Sequence, residues 1–192
     1  MGLITNVKVY GMDETLIAAK FPMSVDIESL DSSITKGVEH LAKSGIGEGH
    51  DQMLTGITVQ FNLMCTNKMW VEVERYRFLY FVSSQSTMHR IAKFNLAEAY
   101  IEHVDDRVIE IMKALVCEYN QMPEGPEKTE MYLKILYTNP SGFKLTARMT
   151  TNYRQLKTIY QQRKKHRLPE WREFCEWIET LPNSDFIVGD AK

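Results

Sequence analysis

Between Ile57 and Leu63 apolar and polar residues alternate without a break. Ile57, Val59, Phe61 and Leu63 fall on one side, and Thr58, Gln60 and Asn62 on the other. A period of two marks a strand with one buried face. The stretch FKLTARM, Phe143–Met149, repeats the pattern, and Val7–Gly11 reads as a shorter strand closed by a glycine. Elsewhere the spacing is three or four. Asp31–Lys43 opens on DSS and carries Ile34, Val38 and Leu41, which predicts a capped amphipathic helix. Further helices are predicted from Asn67, with Met69, Trp70, Val73 and Tyr76, and over Phe94–Glu118, with Leu96, Tyr100, Val104, Ile111 and Leu115. Others are expected over Glu127–Tyr137, from Thr151 to Arg163, and in a last segment carrying Trp171, Phe174, Cys175 and Ile178.

Loops separate these elements. Gly45, Gly47 and Gly49 interrupt the chain in SGIGEGH, two prolines and a glycine interrupt it in MPEGPEK, and SSQST at Ser83–Thr87 reads as a hydroxyl-rich loop. Helices and few strands, without a strand–helix–strand rhythm, predict an α+β fold: a mostly antiparallel sheet with flanking helices, in a single domain over residues 1–192.

Composition narrows the function classes. Apolar residues make up 44% and charged residues 25% of the 192 residues, the mix of a chain with a packed core. A formal net charge of −2 speaks against a binder of nucleic-acid polymers, which needs a basic surface. Cys65, Cys117 and Cys175 are widely spaced, as expected of reduced thiols rather than a disulfide framework. The histidines lack metal-ligand spacing, so no metal site is expected. There is no signal-peptide pattern at MGLITNVKVYG and no apolar run long enough for a membrane span. The expectation is a cytoplasmic protein.

Three stretches carry candidate chemistry. In ERYRFLYFVSSQSTMHR, Arg75 and Arg77 precede Ser83, Ser84, Gln85, Ser86 and Thr87. Guanidinium forks and hydroxyls are the groups that hold phosphate or carboxylate; the plainer alternative pairs both arginines with Glu72 and Glu74. In NYRQLKTIYQQRKKHR, Asn152, Leu156, Ile159 and Arg163 share one helical face, and a core helix has little reason to align an arginine with its buried positions. The basic run could instead complement the helix C-terminus. In GIGEGHD, glycines ahead of His50 permit close backbone approach to a ligand, with neither of the common phosphate-loop spacings.

Taken in order, these stretches resemble the flavin-dependent thymidylate synthases. That family carries Arg-His-Arg followed seven residues later by serine; here Arg75-Tyr76-Arg77 is followed, with one extra residue, by Ser86. Gly49-His50 matches the glycine–histidine pair upstream. Asn152, Arg154, Leu156 and Arg163 match the family's Asn–x–Arg–x–Leu helix and its later arginine. The resemblance spans residues 45 to 180 or so.

It implies FAD-dependent transfer of a one-carbon unit from methylenetetrahydrofolate to a uridine-type nucleotide, dUMP to dTMP or a close variant. NADPH would be the reductant, there would be no protein nucleophile, and a homotetramer would build shared sites. It also implies cofactor contacts at His50, Arg75, Tyr76, Asn152, Arg154, Thr158 and His166. Nucleotide contacts would fall at Glu72, Arg77, Gln85, Ser86 and Arg163. Several positions depart from the family pattern: Tyr76 for histidine, Glu72 for glutamine, Thr158 for asparagine, Gly56 for histidine, and Met88 and Leu136 for arginines. A charge-assisted hydrogen bond is worth about 1.5–3 kcal/mol, so losing two cations bears on nucleotide binding. The alternative is a relative that kept the fold and lost synthase activity, binding nucleotide or flavin as a regulatory protein.

Overall fold

The computed structural model describes residues 2–189. In chain order the elements are β1 (Ile4–Tyr10), α1 (Met12–Ala18), α2 (Lys36–Lys43), β2 (Thr58–Thr66), α3 (Asn67–Val73), β3 (Tyr80–Ser84) and α4 (Thr87–Arg90), followed by α5 (Asp106–Gln121), α6 (Pro126–Thr138), β4 (Lys144–Asn152), α7 (Tyr153–Arg163), α8 (Pro169–Ile178) and α9 (Asp185–Val188). Short 3-10 turns lie at Phe21–Met23, His50–Thr55 and Ile91–Lys93. The strands form one antiparallel sheet in the order β1-β2-β4-β3, which is the α+β architecture the alternating segments predict.

The central pair sets the frame. β2 and β4 run in unbroken register from Thr58 opposite Asn152 to Thr66 opposite Lys144. Because side chains alternate across a strand, Val59, Phe61 and Leu63 on β2 and Ala147 and Met149 on β4 all enter one core. Covering it are Tyr153, Leu156 and Ile159 of α7 and Trp171, Phe174 and Ile178 of α8. Phe61 sits under Trp177 with ring centroids 4.6 Å apart and near Phe174 at 5.8 Å. A second apolar cluster joins Ile91, Leu96 and Tyr100 to α5, Ile135 and Phe143. Two buried oxygens tie α8 to the sheet: Glu170 accepts from the Thr66 backbone N–H at 2.8 Å and from its hydroxyl at 3.2 Å.

Several expected elements are redrawn. The helix predicted over Phe94–Glu118 starts only at Asp106, capped by Asp105. Leu96 and Tyr100 are buried in irregular chain ahead of it, and Ile111 is exposed. Burial of loop side chains at helical spacing produced the misreading. The helix expected from Asp31 begins at Lys36 behind the Thr35 cap, whose hydroxyl accepts from Val38 N–H; Asp31 instead binds Lys20 at 2.8 Å. Pro126 opens α6 rather than sitting in a loop, since the first helical turn needs no N–H there. Ser83 and Ser84 belong to the edge strand β3, not to a loop. Helices α1 and α9 were not foreseen.

Cys65 and Cys175 are buried and Cys117 is exposed. Burial raises the Cys65 thiol far above its usual range and pushes Cys175 up to about 12. Both therefore stay protonated at neutral and mildly alkaline pH, and a thiol is a poor nucleophile. A disulfide-exchange reagent at pH 8 should titrate one thiol in the native protein and three after denaturation. Phe61→Ala removes the ring at the centre of the sheet–helix contact and should cost about 3–5 kcal/mol, read from the urea midpoint.

Candidate functional site

Helix α7 bears three of the residues in question, Arg154, Thr158 and Arg163, and its start is set by one side chain. Asn152 is the last residue of β4, opposite Thr58, and also the N-cap of α7, its Oδ1 accepting from Gln155 N–H at 2.9 Å. Beside this junction opens a cleft of about 400 Å³ lined by Asn152, Arg154, Gln155, Thr158, Phe78 and Gln52, with Ile46, Asp51 and Thr55 completing the wall. Three expected cofactor contacts, Asn152, Arg154 and Thr158, thus converge on one cavity.

The cleft floor is charged and braced. Asp51 is 1% exposed and accepts from Arg154 Nε at 3.0 Å, while Lys157 Nζ approaches its other oxygen at 3.6 Å. Lys157 also donates to the Ala42 carbonyl at 2.7 Å and to that of Ser44. Burial holds the Lys157 ammonium below the usual lysine range, against the pull of Asp51. Arg154 Nη1 donates to Gln52 Oε1 at 2.7 Å. A guanidinium has five N–H donors; two are engaged here and, among the described residues, the other three have no protein partner. His50, at the head of the turn that supplies Asp51, is exposed; Gly49 before it has φ 83°, the left-handed region that glycine enters without strain.

A second cluster occupies the other end of α7, roughly 16 Å along the helix at 1.5 Å per residue. Arg163 Nη1 donates to Glu72 Oε2 at 2.8 Å and Arg163 Nε to the Tyr76 hydroxyl at 2.6 Å. The guanidinium lies 5.4 Å from the Tyr76 ring centroid and 4.9 Å from that of Trp171, within cation–π range of both. Trp171 Nε1 donates to the same Glu72 oxygen at 3.0 Å, and His166 Nε2 is 3.3 Å from it. His166 Nδ1 accepts from Leu168 N–H, which assigns the ring proton to Nε2, facing the carboxylate. The Tyr76 hydroxyl in turn donates a hydrogen bond to Gln162 Oε1 at 3.0 Å. Burial raises the Tyr76 phenol above its ordinary value despite Arg163. Glu72, Tyr76, Arg163 and His166 are therefore one network.

Among the described residues, the remaining expected side chains make no hydrogen bond or ion pair within either cluster, although Arg75 and Arg77 flank Tyr76 in the chain. Arg75 and Arg77 are exposed and, among the described residues, make no ion pair; Glu72 is taken by Arg163, so the simple pairing with neighbouring acids does not form. Ser86 and Gln85 line a separate cleft of about 400 Å³ with Arg90, Lys93, Phe94 and Asn95. Gln85 is partly spent, its Oε1 accepting from Thr146 N–H at 2.9 Å beyond the end of β3. Met88 and His89 line a neighbouring basic hollow, and Leu136 packs into the second apolar cluster. Sequence reasoning missed Asp51, Gln52, Phe78 and Trp171. Asp51 alone left a signal, an acid directly after the glycine turn.

Among the described residues no group of histidine, cysteine and acidic side chains could hold a metal ion, and no helix is long and apolar enough to cross a membrane.

No protein-family model matches the chain, and no curated protein matches it. Solved structures do. The flavin-dependent thymidylate synthase ThyX from Helicobacter pylori, complexed with FAD and dUMP, matches with a TM-score of 0.71 at 16% identity, over 98% of this chain and 100% of that one. A crystal structure of Thymidylate Synthase X from Helicobacter pylori with FAD and dUMP, at 2.31 Å resolution, gives 0.69 at 16% identity over 94% and 95%. At that identity the likeness establishes the fold: the chain has a flavin-dependent thymidylate synthase-like fold.

Proposed function

We propose that this chain is a flavin-dependent enzyme that binds FAD at the start of α7 and a uridine-type nucleotide towards its end. It would transfer a one-carbon unit from methylenetetrahydrofolate to the nucleotide, dUMP to dTMP or a close variant, as a cytoplasmic homotetramer with sites shared between subunits. The observation that carries this reading is the convergence of Asn152, Arg154 and Thr158 on one cleft, in a fold whose matched relative is complexed with FAD and dUMP.

The donor set of that cleft fits a flavin. Arg154 offers an open guanidinium edge, Asn152 and Gln155 offer amides, Thr158 a hydroxyl and Phe78 an apolar ring. Such a mixture suits a heteroaromatic ring with a polyhydroxyl and phosphate tail. When bound, the reduced flavin supplies hydride, with NADPH as its expected source. The chain's own residues bind and orient. Asp51 fixes the Arg154 fork, Asn152 aligns the helix that carries it, and the uncommitted cations Arg75 and Arg77 are suited to phosphate. No side chain serves as a nucleophile in this reading.

A second reading keeps the fold and drops the synthase chemistry, leaving a flavin- or nucleotide-binding regulatory protein. It is favoured by one observation: Arg163 is already engaged by Glu72 and Tyr76.

The purified protein, mixed with FAD and desalted, should retain a two-band flavin spectrum. Arg154→Ala should weaken FAD binding about tenfold or more, as expected for a lost charge-assisted contact. A wild-type protein that retains no flavin sinks both the cleft assignment and the enzyme. Incubation of the FAD-loaded protein with dUMP, methylenetetrahydrofolate and NADPH should yield dTMP; bound flavin with no methylated product selects the second reading.

A further inference from the structure

The network at the end of α7 is built around one oxygen. Glu72 Oε2 accepts from Arg163 Nη1 and Trp171 Nε1, and His166 Nε2 lies 3.3 Å away, so the carboxylate is pinned in place rather than swinging in solvent. Arg163 is pinned too. Its Nε is spent on Tyr76, Gln162 holds the Tyr76 hydroxyl, and the two aromatic rings flank the guanidinium. Arg163 and Glu72 side chains are 13% and 19% exposed. With two of five N–H groups engaged, Nη2 and one Nη1 proton have no protein partner among the described residues. An incoming oxygen meets a guanidinium whose charge is already matched and whose fork is already half filled.

We infer that Glu72 is a built-in competitor for the nucleotide at Arg163. A ligand phosphate or carbonyl that takes the Nη1–Nη2 fork as a bidentate acceptor must share Nη1 with the Glu72 carboxylate or displace it, and a phosphate must also approach against its negative charge. Glu72 thereby sets how tightly the site takes an anionic nucleotide and acts as a specificity-determining residue. The inference rests on the proposed nucleotide site at Arg163. It also gives a physical cause for the second functional reading, since an arginine held by its own chain binds weakly even when its position is right.

The test titrates dUMP by calorimetry into FAD-supplemented wild-type protein, Glu72→Gln, Arg163→Ala and the double variant, each checked by thermal melting. Glu72→Gln keeps an acceptor for Trp171 and Arg163 while removing the charge, and should bind dUMP at least about tenfold more tightly than wild type. The double variant should lose that gain. Binding by Glu72→Gln alone supports the inference as well. Unchanged affinity in Glu72→Gln, with wild-type binding still sensitive to Arg163→Ala, overturns it and leaves the nucleotide site standing. Weaker binding overturns it and makes Glu72 a direct ligand contact. Wild-type binding that survives Arg163→Ala, or no binding by wild type and Glu72→Gln, overturns the nucleotide site and the inference together. Should Glu72→Gln melt below the assay temperature, Glu72→Asp replaces it. That change withdraws the carboxylate by one methylene and must also raise affinity.

Discussion

The candidate site depends on the junction where β4 becomes α7. Asn152 closes the register of the central strand pair and caps the helix in the same residue. Because β4 is paired on both sides, by β2 and β3, the first turn of α7 has no freedom to rotate without breaking the sheet ladder. Leu156 and Ile159 then lock the helix face onto the core. The placement of the candidate residues on α7 follows from that constraint: Arg154 and Thr158 at one cleft, Arg163 at the far end. An N-cap alone is worth about 1 kcal/mol. Here it also fixes orientation, which matters more for a binding site than its contribution to stability.

The two arginine–carboxylate pairs on α7 place the carboxylate on different nitrogens. At Arg154 the partner Asp51 is almost wholly buried and engages Nε, so the carboxylate serves as a mount, while the neutral Gln52 accepts from Nη1. At Arg163 the carboxylate of Glu72 takes Nη1 and the neutral Tyr76 hydroxyl takes Nε. A buried charge left alone is costly, so each arginine needs a partner. Both guanidinium groups are engaged at Nε and Nη1; they differ in which of the two nitrogens faces the negative charge. The Tyr76 hydroxyl on Nε and the Trp171 indole on Glu72 make the second arrangement self-sufficient.

The alternating segments were legible because period two is a local property: the β2 burial pattern repeats the sequence alternation residue by residue. The α7 stripe was legible for the same reason, with Leu156 and Ile159 buried. Phe94–Asp105 was not, since Leu96 and Tyr100 satisfy a helical spacing while packing from irregular chain against Phe143 and its neighbours. β3 was hidden as well. Its residues are exposed on both faces, so no alternation marked it, and only pairing with β4 makes it a strand.

By itself, then, the sequence determined the elements whose burial follows from spacing, the order of the chemistry-bearing stretches, and the resemblance that pointed to a flavin and a nucleotide. Tertiary structure alone decided which of those residues share a site. Asn152, Arg154 and Thr158 meet in one cleft, Gln85 and Ser86 line another, and Glu72 closes on Arg163 across 91 positions of chain. The reason is physical. Strand and helix periods are written in neighbouring residues, whereas a carboxylate's choice among available cations is settled by where packing of distant segments leaves each one.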